Sequence, residues 1–463
     1  MFKVDELVRA TGGRLRGGPA TGESLKGICI DSRTLKKGEA FLAIKGGNFD
    51  GHDYIDAAIK KGARCIIRQR RARRLPAACL PGRQGQARRV VFIEVKDTTR
   101  ALGDIARYHR QRFDVPVIAV TGSNGKTTTK DMIAWVLAKR HRVLKNEGTK
   151  NNHIGVPLTL LRLGTGHDMV VLEIGTNHFG EVGNLAGICQ PTIGVITNIG
   201  PAHLEYFGSL GGVFKEKSAL LEKLLNPNIA LLNADDDALR AHLYNRADPL
   251  FALWFGLRRR CDFQAKKVRY SQGEIHFFAG TKHPFRLRTP GAHNVYNALS
   301  AIAVARMFGM GYKDIASRLS SFEFPQGRLT ISKHNGARII DDTYNANPHS
   351  LVQALAALKS MRARGRKIFV MGDMLELGSQ AERFHSEAGR LAAQSCTIFI
   401  GVGRLSGRAA ETARSCGLDT KNTFSCETAK EARVILFKTV QPDKDDIVLV
   451  KGSRGMRMEE VFL

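Results

Sequence analysis

The 463-residue chain has no apolar run long enough to span a bilayer. Its first residues, MFKVDELVRATGG, include acidic side chains and no apolar stretch of the signal-peptide type. The eight cysteines are scattered and form no C-x-x-C pair, which is typical of a protein whose thiols stay reduced. We therefore expect a cytoplasmic protein without a transmembrane segment.

Acidic residues are few, since 43 Asp and Glu stand against 71 Lys and Arg and give a formal net charge of +28. Such an excess is compatible with binding to nucleic acid or anionic lipid. The densest basic cluster, Arg68 to Arg89, also contains two prolines and two glycines, and we interpret it as an exposed loop or insertion. The chain lacks the alternation of basic and aromatic residues that stacks single-stranded bases. A solvated basic surface is therefore favoured, nonspecific polyanion contact is the alternative, and no nucleic-acid partner is expected.

The length and a hydrophobic content of 43% indicate a soluble globular protein of several domains. Short apolar runs alternate with helical stretches in three blocks, residues 1–113, 114–327 and 328–463. This alternation is typical of parallel sheets that are covered by helices. We expect three α/β domains: an N-terminal one, a central one with a parallel sheet, and a C-terminal one with a second, open sheet of the Rossmann-like kind.

The segment VPVIAVTGSNGKTTT, residues 115–129, is a short apolar strand that continues into a glycine-rich turn and a helical stretch. Two glycines allow backbone N–H groups to converge on phosphate oxygens, and a helix N-terminus favours the same anion. Lys126 would reach the β- and γ-phosphates, and the Thr127 hydroxyl would bind magnesium. Val120 stands where the first glycine of this motif is usual, so the loop is a compressed form. The predicted nucleotide-binding residues here are Gly122, Ser123, Asn124, Gly125, Lys126, Thr127 and Thr128.

Glu173 ends the apolar run MVVLE, and a carboxylate at the carboxyl end of a parallel strand can hold magnesium together with Thr127. The next apolar run leads into a loop with His203, and a histidine in a loop is more often a surface residue than a ligand. Lys215 and Lys217 follow on a predicted helix, where two lysines on an exposed face need no special role. From the pattern alone, Glu173 is the stronger metal candidate.

Together these segments resemble the Mur ligase superfamily, ATP-dependent enzymes that form amide bonds in peptidoglycan precursor synthesis. TGSNGKTT resembles the family's ATP loop, LEIGTN its acidic magnesium strand, and NIGPAHLEYFGS with the following lysine helix its second metal site. The resemblance implies ATP and two Mg²⁺ ions, with His203 on the second ion. It also implies that Lys217 is carbamoylated to N6-carboxylysine, and the spacing from His203 favours Lys217 over Lys215.

Three further segments extend the resemblance around the nucleotide. PGAHNVYNALSA resembles the family's adenine-contacting segment, which implies roles for Asn294 and Asn297. Arg328 corresponds to an arginine at the interdomain hinge that contacts the phosphates. DDTYNANP resembles the C-terminal contribution to the nucleotide site, which implies Asp342 near the ribose and Tyr344 near the phosphates.

Within the superfamily, four segments favour the ligase that adds D-alanyl-D-alanine to UDP-N-acetylmuramoyl-tripeptide. They are NEGTKNNHIGVPLTLL (146–161), DDTYNANP (341–348), GDMLELG (372–378) and VLVKGSRGMRME (448–459). Residues 31–63 resemble the uridine-nucleotide-binding domain of the family. The resemblance is weak only over residues 66–90 and 255–285, and the DNPR-type signature of the diaminopimelate-adding relative is absent.

The same resemblance implies three groups of substrate-binding residues on apparent loops. These are Asp31, Ser32, Arg33, Asp50 and His52 for the uridine nucleotide, Asn151, Asn152 and His153 for the muramoyl-peptide, and Asn345, Asn347 and Arg454 for the dipeptide. Simple turn chemistry is the alternative for each of them taken singly. The expected partners are UDP-N-acetylmuramoyl-tripeptide and D-alanyl-D-alanine, bound by a monomer.

The implied reaction is ligation through an acyl phosphate, because a carboxylate cannot acylate an amine directly when oxide is the leaving group. No protein nucleophile is needed, so catalysis would rest on positioning and charge neutralisation. The predicted catalytic residues are Lys126, Glu173, His203, Lys217 and Arg328. The alternatives are another Mur-type ligase that adds a single amino acid, a P-loop NTPase that acts on nucleic acid, and a binding protein without catalysis. The intact catalytic residues argue against the last of these.

Overall fold

The structure is a computed structural model, and it describes residues 2–16, 24–47, 49–70, 90–243, 251–271, 273–280, 283–334 and 336–462. Residues 71–89, most of the basic cluster, lie outside these ranges. Three main sheets of five, nine and six strands define an N-terminal, a central and a C-terminal domain, which confirms the expected three-domain α/β class. Across the ranges given, no helix is both long and apolar enough to cross a membrane.

The N-terminal domain is a five-stranded sheet with helices on both faces. Its elements are β1 (Phe2–Lys3), α1 (Val4–Thr11), β2 (Arg14–Arg16), β3 (Ser24–Leu25), β4 (Ile28–Cys29), β5 (Ala40–Leu42), α2 (Ile55–Lys60), β6 (Cys65–Gln69), β7 (Val91–Val95) and α3 (Thr98–Arg110). The sheet order is β2–β7–β6–β5–β4, parallel except for β2, while β1 pairs with β3. Alternate strand residues face opposite sides, so Leu42 packs in the cluster of α1 and α3 and Phe41 in that of α2.

The central domain holds a nine-stranded sheet. Its elements are β8 (Val117–Thr121), α4 (Lys126–Leu137), β9 (Val143–Lys145), α5 (Gly155–Leu160), β10 (Met169–Glu173), α6 (Glu181–Cys189), β11 (Ile193–Ile196), α7 (Leu204–Phe207), α8 (Leu210–Ser218), β12 (Ile229–Asn233), α9 (Asp237–Leu243), β13 (Phe251–Gly256), β14 (Phe263–Ser271), β15 (Glu274–Ala279), β16 (Pro284–Leu287), α10 (Asn294–Met307) and α11 (Tyr312–Ser320). The order is β16–β15–β14–β13–β12–β11–β8–β10–β9, with β8 to β14 parallel and β14 to β16 antiparallel.

Strands β8, β10 and β11 are buried along their whole length, as continuous apolar runs in a parallel sheet should be. One face packs against α4 and α10, with Ile133 and Leu299 in a shared cluster. The other face packs against α5 and α6, with Leu160 and Leu185 in a second cluster. Because these strands run parallel, the loops at their carboxyl ends meet at one edge of the sheet.

The C-terminal domain is a six-stranded sheet of the expected open kind. Its elements are β17 (Thr330–His334), β18 (Ala337–Asp342), α12 (Pro348–Ser360), β19 (Lys367–Gly372), α13 (Ala381–Ala393), β20 (Ile398–Val402), α14 (Arg404–Ser415), β21 (Thr423–Cys426), α15 (Ala429–Val434) and β22 (Ile447–Lys451). The order is β17–β18–β22–β19–β20–β21, and only the edge strand β17 is antiparallel. The carboxyl ends of β18 and β22 face the central domain, because Asp342 and Lys451 line the cavity between the two.

Two details differ from the expectations. The antiparallel strands β14 to β16 extend the central sheet over much of 255–285, where the family resemblance is weak. Arg68, taken as the start of an exposed basic loop, is buried at 6% exposure at the end of β6. Its guanidinium donates to Glu94 at 2.6 Å and lies over the ring of Phe92, so that interpretation was wrong for Arg68. The domain boundaries near 113 and 327 stay predictions.

Candidate active site

A cavity of about 1220 Å³ lies between the central and C-terminal domains, at the carboxyl edge of the central sheet. Most of the predicted site residues line it, although they come from segments far apart in sequence. They are Ser123, Asn124, Gly125, Lys126, Thr127, Thr128, Asn151, Asn152, His153, Glu173, His203, Asn294, Asn297, Arg328, Asp342, Tyr344, Asn345 and Asn347. The fold therefore brings together residues that the sequence could only place one by one.

The glycine-rich loop between β8 and α4 has the backbone that an anion site requires. Gly122 has φ +143° and Gly125 has φ +80°, conformations that side chains rarely adopt. A Cβ on Gly125 would lie 2.5 Å from Asn297 Oδ1, and one on Gly122 would collide with Thr197. The 12-residue helix α4 begins at Lys126, directly after the loop, so its N-terminal N–H groups point at the cavity.

Lys126 folds back over this loop. Its Nζ donates to the carbonyls of Gly122 at 2.8 Å and Ser123 at 3.3 Å. Burial lowers the pKa of the amine, and Glu173 partly opposes that shift. The ammonium is thus held by weak neutral acceptors at the loop, where phosphate oxygens would be stronger ones.

Glu173, at the end of β10, has hydrogen bonds to its backbone and to one of its two carboxylate oxygens. Asn146 bonds both its N–H, at 2.9 Å, and its carbonyl, at 3.1 Å, while Asn151 donates to Oε1 at 2.7 Å. The other oxygen, Oε2, is buried and has no hydrogen-bond partner among the residues that the structure describes. A buried carboxylate oxygen without a donor is costly unless a cation meets it, so the site fits a divalent metal.

His203 and Lys217 lie on consecutive segments after β11. His203 has φ +54° at the start of α7, and its ring lies at the cavity. Lys217 on α8 is 1% exposed, whereas Lys215 on the same helix is exposed. The structure therefore separates two lysines that look alike in the sequence. Across the residues described, no three His, Cys, Asp or Glu side chains form a metal cluster. The predicted set is of another kind, because it combines one Glu and one His with Thr127 and Lys217.

The C-terminal domain contributes directly to the phosphate loop. Arg328 donates from Nη2 to the Thr127 hydroxyl at 2.9 Å and lies over the Tyr344 ring at 4.0 Å. Asn347, the N-cap of α12, donates from Nδ2 to Asn124 Oδ1 at 2.7 Å. The predicted phosphate loop is thus contacted by residues of both domains, which suits a reaction that closure completes.

Comparison with known proteins identifies the family. The chain matches the models of the Mur ligase family catalytic domain at residues 24–110, the Mur ligase middle domain at 120–305 and the glutamate ligase domain of Mur ligases at 327–454. It is 34% identical to the UDP-N-acetylmuramoyl-tripeptide–D-alanyl-D-alanine ligase of Bacillus subtilis, over 94% of this chain and 92% of that protein. The chain belongs to the Mur ligase family.

Solved structures of Mur ligases agree in fold along the whole chain. MurF from Acinetobacter baumannii superposes with a TM-score of 0.87 at 32% identity, covering 100% of this chain and 98% of that one. MurF from Thermotoga maritima in complex with ADP gives a TM-score of 0.80 at 28% identity, covering 94% and 96% of the two chains. The expected Mur ligase architecture is therefore confirmed.

The nucleotide-binding residues that the Mur ligase resemblance implied are partly occupied by contacts to one another. Asn297 donates to Asn294 Oδ1 at 2.8 Å and accepts from the Thr129 hydroxyl at 3.0 Å. Asp342 accepts from Lys451 Nζ at 2.6 Å, while burial raises its pKa and Lys451 opposes the shift. Asn297 therefore joins α10 to α4, and the contact of the two asparagines with adenine stays a prediction.

Several predicted substrate residues do not line the cavity. Arg33 donates to Asp31 at 2.7 Å and lowers the pKa of that carboxyl to about 2. Ser32 is buried. His52 bonds the Asp50 carboxylate at 2.6 Å through Nδ1 and accepts from the Gln69 N–H at 3.0 Å. Gly122, Lys217 and Arg454 are also absent from the lining. In the N-terminal domain the predicted residues thus satisfy one another.

Other cavity residues were missed from the sequence. Asn198 holds the loop, because its Oδ1 accepts from the Asn124 N–H at 2.9 Å and its Nδ2 donates to the Asn124 carbonyl at 3.0 Å. Asp235 accepts from the Tyr296 hydroxyl at 2.9 Å. Both follow buried parallel strands, as Glu173 does, so the same rule could have found them. Burial together with Asp235 raises the pKa of Tyr296.

Proposed function

We propose that the protein is an ATP-dependent ligase that joins D-alanyl-D-alanine to UDP-N-acetylmuramoyl-tripeptide in peptidoglycan precursor synthesis. The observation that carries this function is the convergence of Lys126, Glu173 and Arg328 from two domains on one cavity. The names of its full-length relatives and the ADP in a related structure support the same reaction.

In the proposed reaction the terminal carboxylate of the tripeptide attacks the γ-phosphorus of ATP, and ADP leaves with the electrons of the broken P–O bond. The free amine of D-alanyl-D-alanine then attacks the acyl carbon, phosphate leaves, and the amine nitrogen loses one proton. Lys126, whose Nζ bonds a loop carbonyl, and Arg328, which bonds the Thr127 hydroxyl, offset phosphate charge. The loop N–H groups fix the phosphates before reaction, so catalysis is mainly positioning and preorganised electrostatics.

We infer that Thr127, Glu173, His203 and Lys217 hold two Mg²⁺ ions. The buried, unpartnered Glu173 Oε2 is the observation that supports a cation at this place. Bound Mg²⁺ would neutralise charge on the phosphates and on the approaching carboxylate.

We further propose that Lys217 carries a carbamate. Burial and the neighbouring Lys126 hold the pKa of its amine well below the usual value, so the neutral, nucleophilic form is favoured. In carbamoylation the neutral amine nitrogen bonds the carbon of CO₂ and releases one proton, which leaves an anionic carbamate. Lys215 is exposed and lacks this environment.

The domains divide the substrates in this proposal. The N-terminal domain, residues 1–113, would bind the uridine nucleotide, the central domain, 114–327, would bind ATP, and the C-terminal domain, 328–463, would bind the dipeptide. Asn151, Asn152 and His153 would face the muramoyl-peptide from the cavity wall. We expect a monomer that works in the cytoplasm, where ATP and the uridine nucleotide are available, without a nucleic-acid partner.

The test is a comparison of amines. The protein is incubated with UDP-N-acetylmuramoyl-tripeptide and ATP plus D-alanyl-D-alanine, diaminopimelate or L-lysine, and phosphate release and product mass are measured. We expect product with the dipeptide alone. Faster turnover with a single amino acid would identify a different Mur-type ligase, and ATP hydrolysis that needs single-stranded DNA instead would identify a nucleic-acid NTPase.

A further inference from the structure

A carboxylate of the C-terminal domain lies against the predicted metal ligand of the central domain. Glu376 belongs to the GDMLELG segment that follows β19 and has φ +62°. Its Oε2 lies 2.6 Å from His203 Nδ1. The two residues are 173 positions apart in sequence and belong to different domains.

Two backbone contacts also hold the Glu376 segment against the loop that carries His203. The N–H of Glu205 donates to the Glu376 carbonyl at 3.3 Å. A Cβ built on Gly378 would lie 3.4 Å from Glu205 Cα, so the segment lies directly on the loop that carries His203. The backbone of the Glu376 segment is therefore held against the loop of His203, which brings the carboxylate within reach of Nδ1.

This contact decides which nitrogen of His203 is free. An ionised carboxylate offers only acceptors, so Glu376 Oε2, which lies 2.6 Å from His203 Nδ1, accepts a hydrogen bond from that nitrogen. The proton of a neutral His203 must then sit on Nδ1. Nε2 makes no hydrogen bond with any residue that the structure describes, and the ring lines the cavity. Neutral imidazole binds metal through its unprotonated nitrogen.

We propose that Glu376 is a positioning residue that fixes the tautomer and ring orientation of His203, so that Nε2 faces the cation site. Because Glu376 comes from the C-terminal domain, the metal site is complete only when the two domains meet. The inference rests on the proposed function, in which His203 binds the second ion. A carboxylate behind a metal-binding histidine is a common means of raising its basicity and fixing its orientation.

The alternative is an ordinary surface pair. The side chains of His203 and Glu376 are 25% and 43% exposed, and pairs of this kind contribute little to stability. A surface pair would leave metal affinity and the histidine tautomer unchanged when it is removed. These two readouts therefore separate the positioning role from a merely structural one.

The first experiment measures Mn²⁺ binding by electron paramagnetic resonance, with the full-length protein and a non-hydrolysable ATP analogue. Replacing Glu376→Ala should weaken the weaker of two Mn²⁺ sites about tenfold, the lower end of the range for such partners because the pair is partly exposed. Glu376→Gln should lose less, because the amide oxygen still accepts from Nδ1. Glu205→Gln is the matched control, since it removes an exposed carboxylate two positions from His203 and leaves the pair intact.

The second experiment reads the tautomer by nitrogen-15 NMR of labelled histidine, with His203→Ala to assign the signal. We expect Nδ1–H in the unchanged protein and a shift toward Nε2–H in Glu376→Ala. Thermal unfolding of each variant checks that the fold is retained.

The outcomes distinguish the two levels of inference. If His203→Ala leaves Mn²⁺ affinity unchanged, the metal role in the proposed function fails, and the positioning role fails with it. If His203→Ala weakens binding but Glu376→Ala changes neither affinity nor tautomer, only the positioning role is overturned. If both variants weaken the same site and the tautomer shifts, the positioning role is supported.

Discussion

Two polar atoms at the interdomain cavity and the polar side chains of two N-terminal loops, residues 31–33 and 50–52, differ in whether they are hydrogen-bonded. In the cavity, Glu173 Oε2 and His293 Nδ1 are buried without a hydrogen-bond partner. In the N-terminal domain, Asp31 bonds Arg33, and Asp50 bonds His52. A buried polar group without a partner costs free energy, so one that lines a cavity is a candidate for contact with a ligand.

This difference shows which polar groups point to a function. Unsatisfied groups at the cavity indicate what is to be bound, because a phosphate or a cation would complete them. The Asp31–Arg33 and Asp50–His52 pairs are stable as they stand, so they indicate no ligand by themselves. The comparison predicts that substitutions at the cavity change turnover greatly, while those in the N-terminal pairs change substrate affinity modestly.

The largest expected effect is that of Lys126→Ala. We expect turnover to fall about 10²- to 10³-fold, by analogy with the loss of one preorganised electrostatic donor. Stability should change little, because Nζ bonds only two loop carbonyls. Phosphate release measures the turnover of the variant, and thermal unfolding measures its stability. Lys139→Ala, which removes an exposed lysine paired with Asp314, is the control, and near-normal turnover of the Lys126 variant would refute the phosphate-loop assignment.

Lys217→Ala and Lys215→Ala form a matched pair on one helix. We expect the buried Lys217 to be needed for turnover, with a loss of about 10²-fold, and the exposed Lys215 to be dispensable. If Lys217 acts as a carbamate, formate should restore part of the lost activity, and removal of CO₂ should slow the unchanged protein. Equal effects of the two substitutions would show that burial of Lys217 is structural.

The sequence predicted the elements that depend on local pattern. The apolar runs at 169–173 and 447–451 are strands β10 and β22, because continuous burial in a parallel sheet leaves that pattern. The glycine-rich loop was also predictable, because positive φ angles and close packing require glycine at fixed positions.

What the sequence did not predict depends on tertiary contact. Local pattern alone does not distinguish Lys217 from Lys215, since the choice of Lys217 rested on the family spacing, and Arg68 looks exposed until it bonds Glu94 on the neighbouring strand. Nothing local indicates that Glu376 meets a histidine 173 positions away. Charge and hydrophobicity describe a residue, whereas these roles belong to pairs that only the fold brings together.

A smaller effect is expected at Asn347, which joins the C-terminal domain to the phosphate loop and also caps α12. Asn347→Ser keeps a good helix cap but is too short to reach Asn124, so it removes the interdomain bond alone. One net hydrogen bond corresponds to about a 3- to 10-fold loss in kcat/KM for ATP. Asn347→Ala should show the same loss and also unfold more easily, by about 1 kcal/mol for the missing cap. A change confined to KM for the dipeptide would instead assign Asn347 to that substrate.

The smallest effect is expected at Arg33, in the self-satisfied pair of the N-terminal domain. Asp31 has a pKa lowered to about 2 by Arg33, so the pair stabilises the fold above the ordinary aspartate pKa, and this contribution is lost as pH falls through about 2. Because Arg33 is 87% exposed, Arg33→Ala should lower the melting temperature at pH 7 by less than about 2 °C, and the difference should vanish near pH 2. If Arg33 also meets the uridine nucleotide, KM for that substrate rises while kcat stays constant. If Arg33→Ala instead lowers kcat as much as the cavity variants do, the expected difference between the two regions is contradicted. The Asp31–Arg33 pair would then contribute to the transition state and not only to substrate binding.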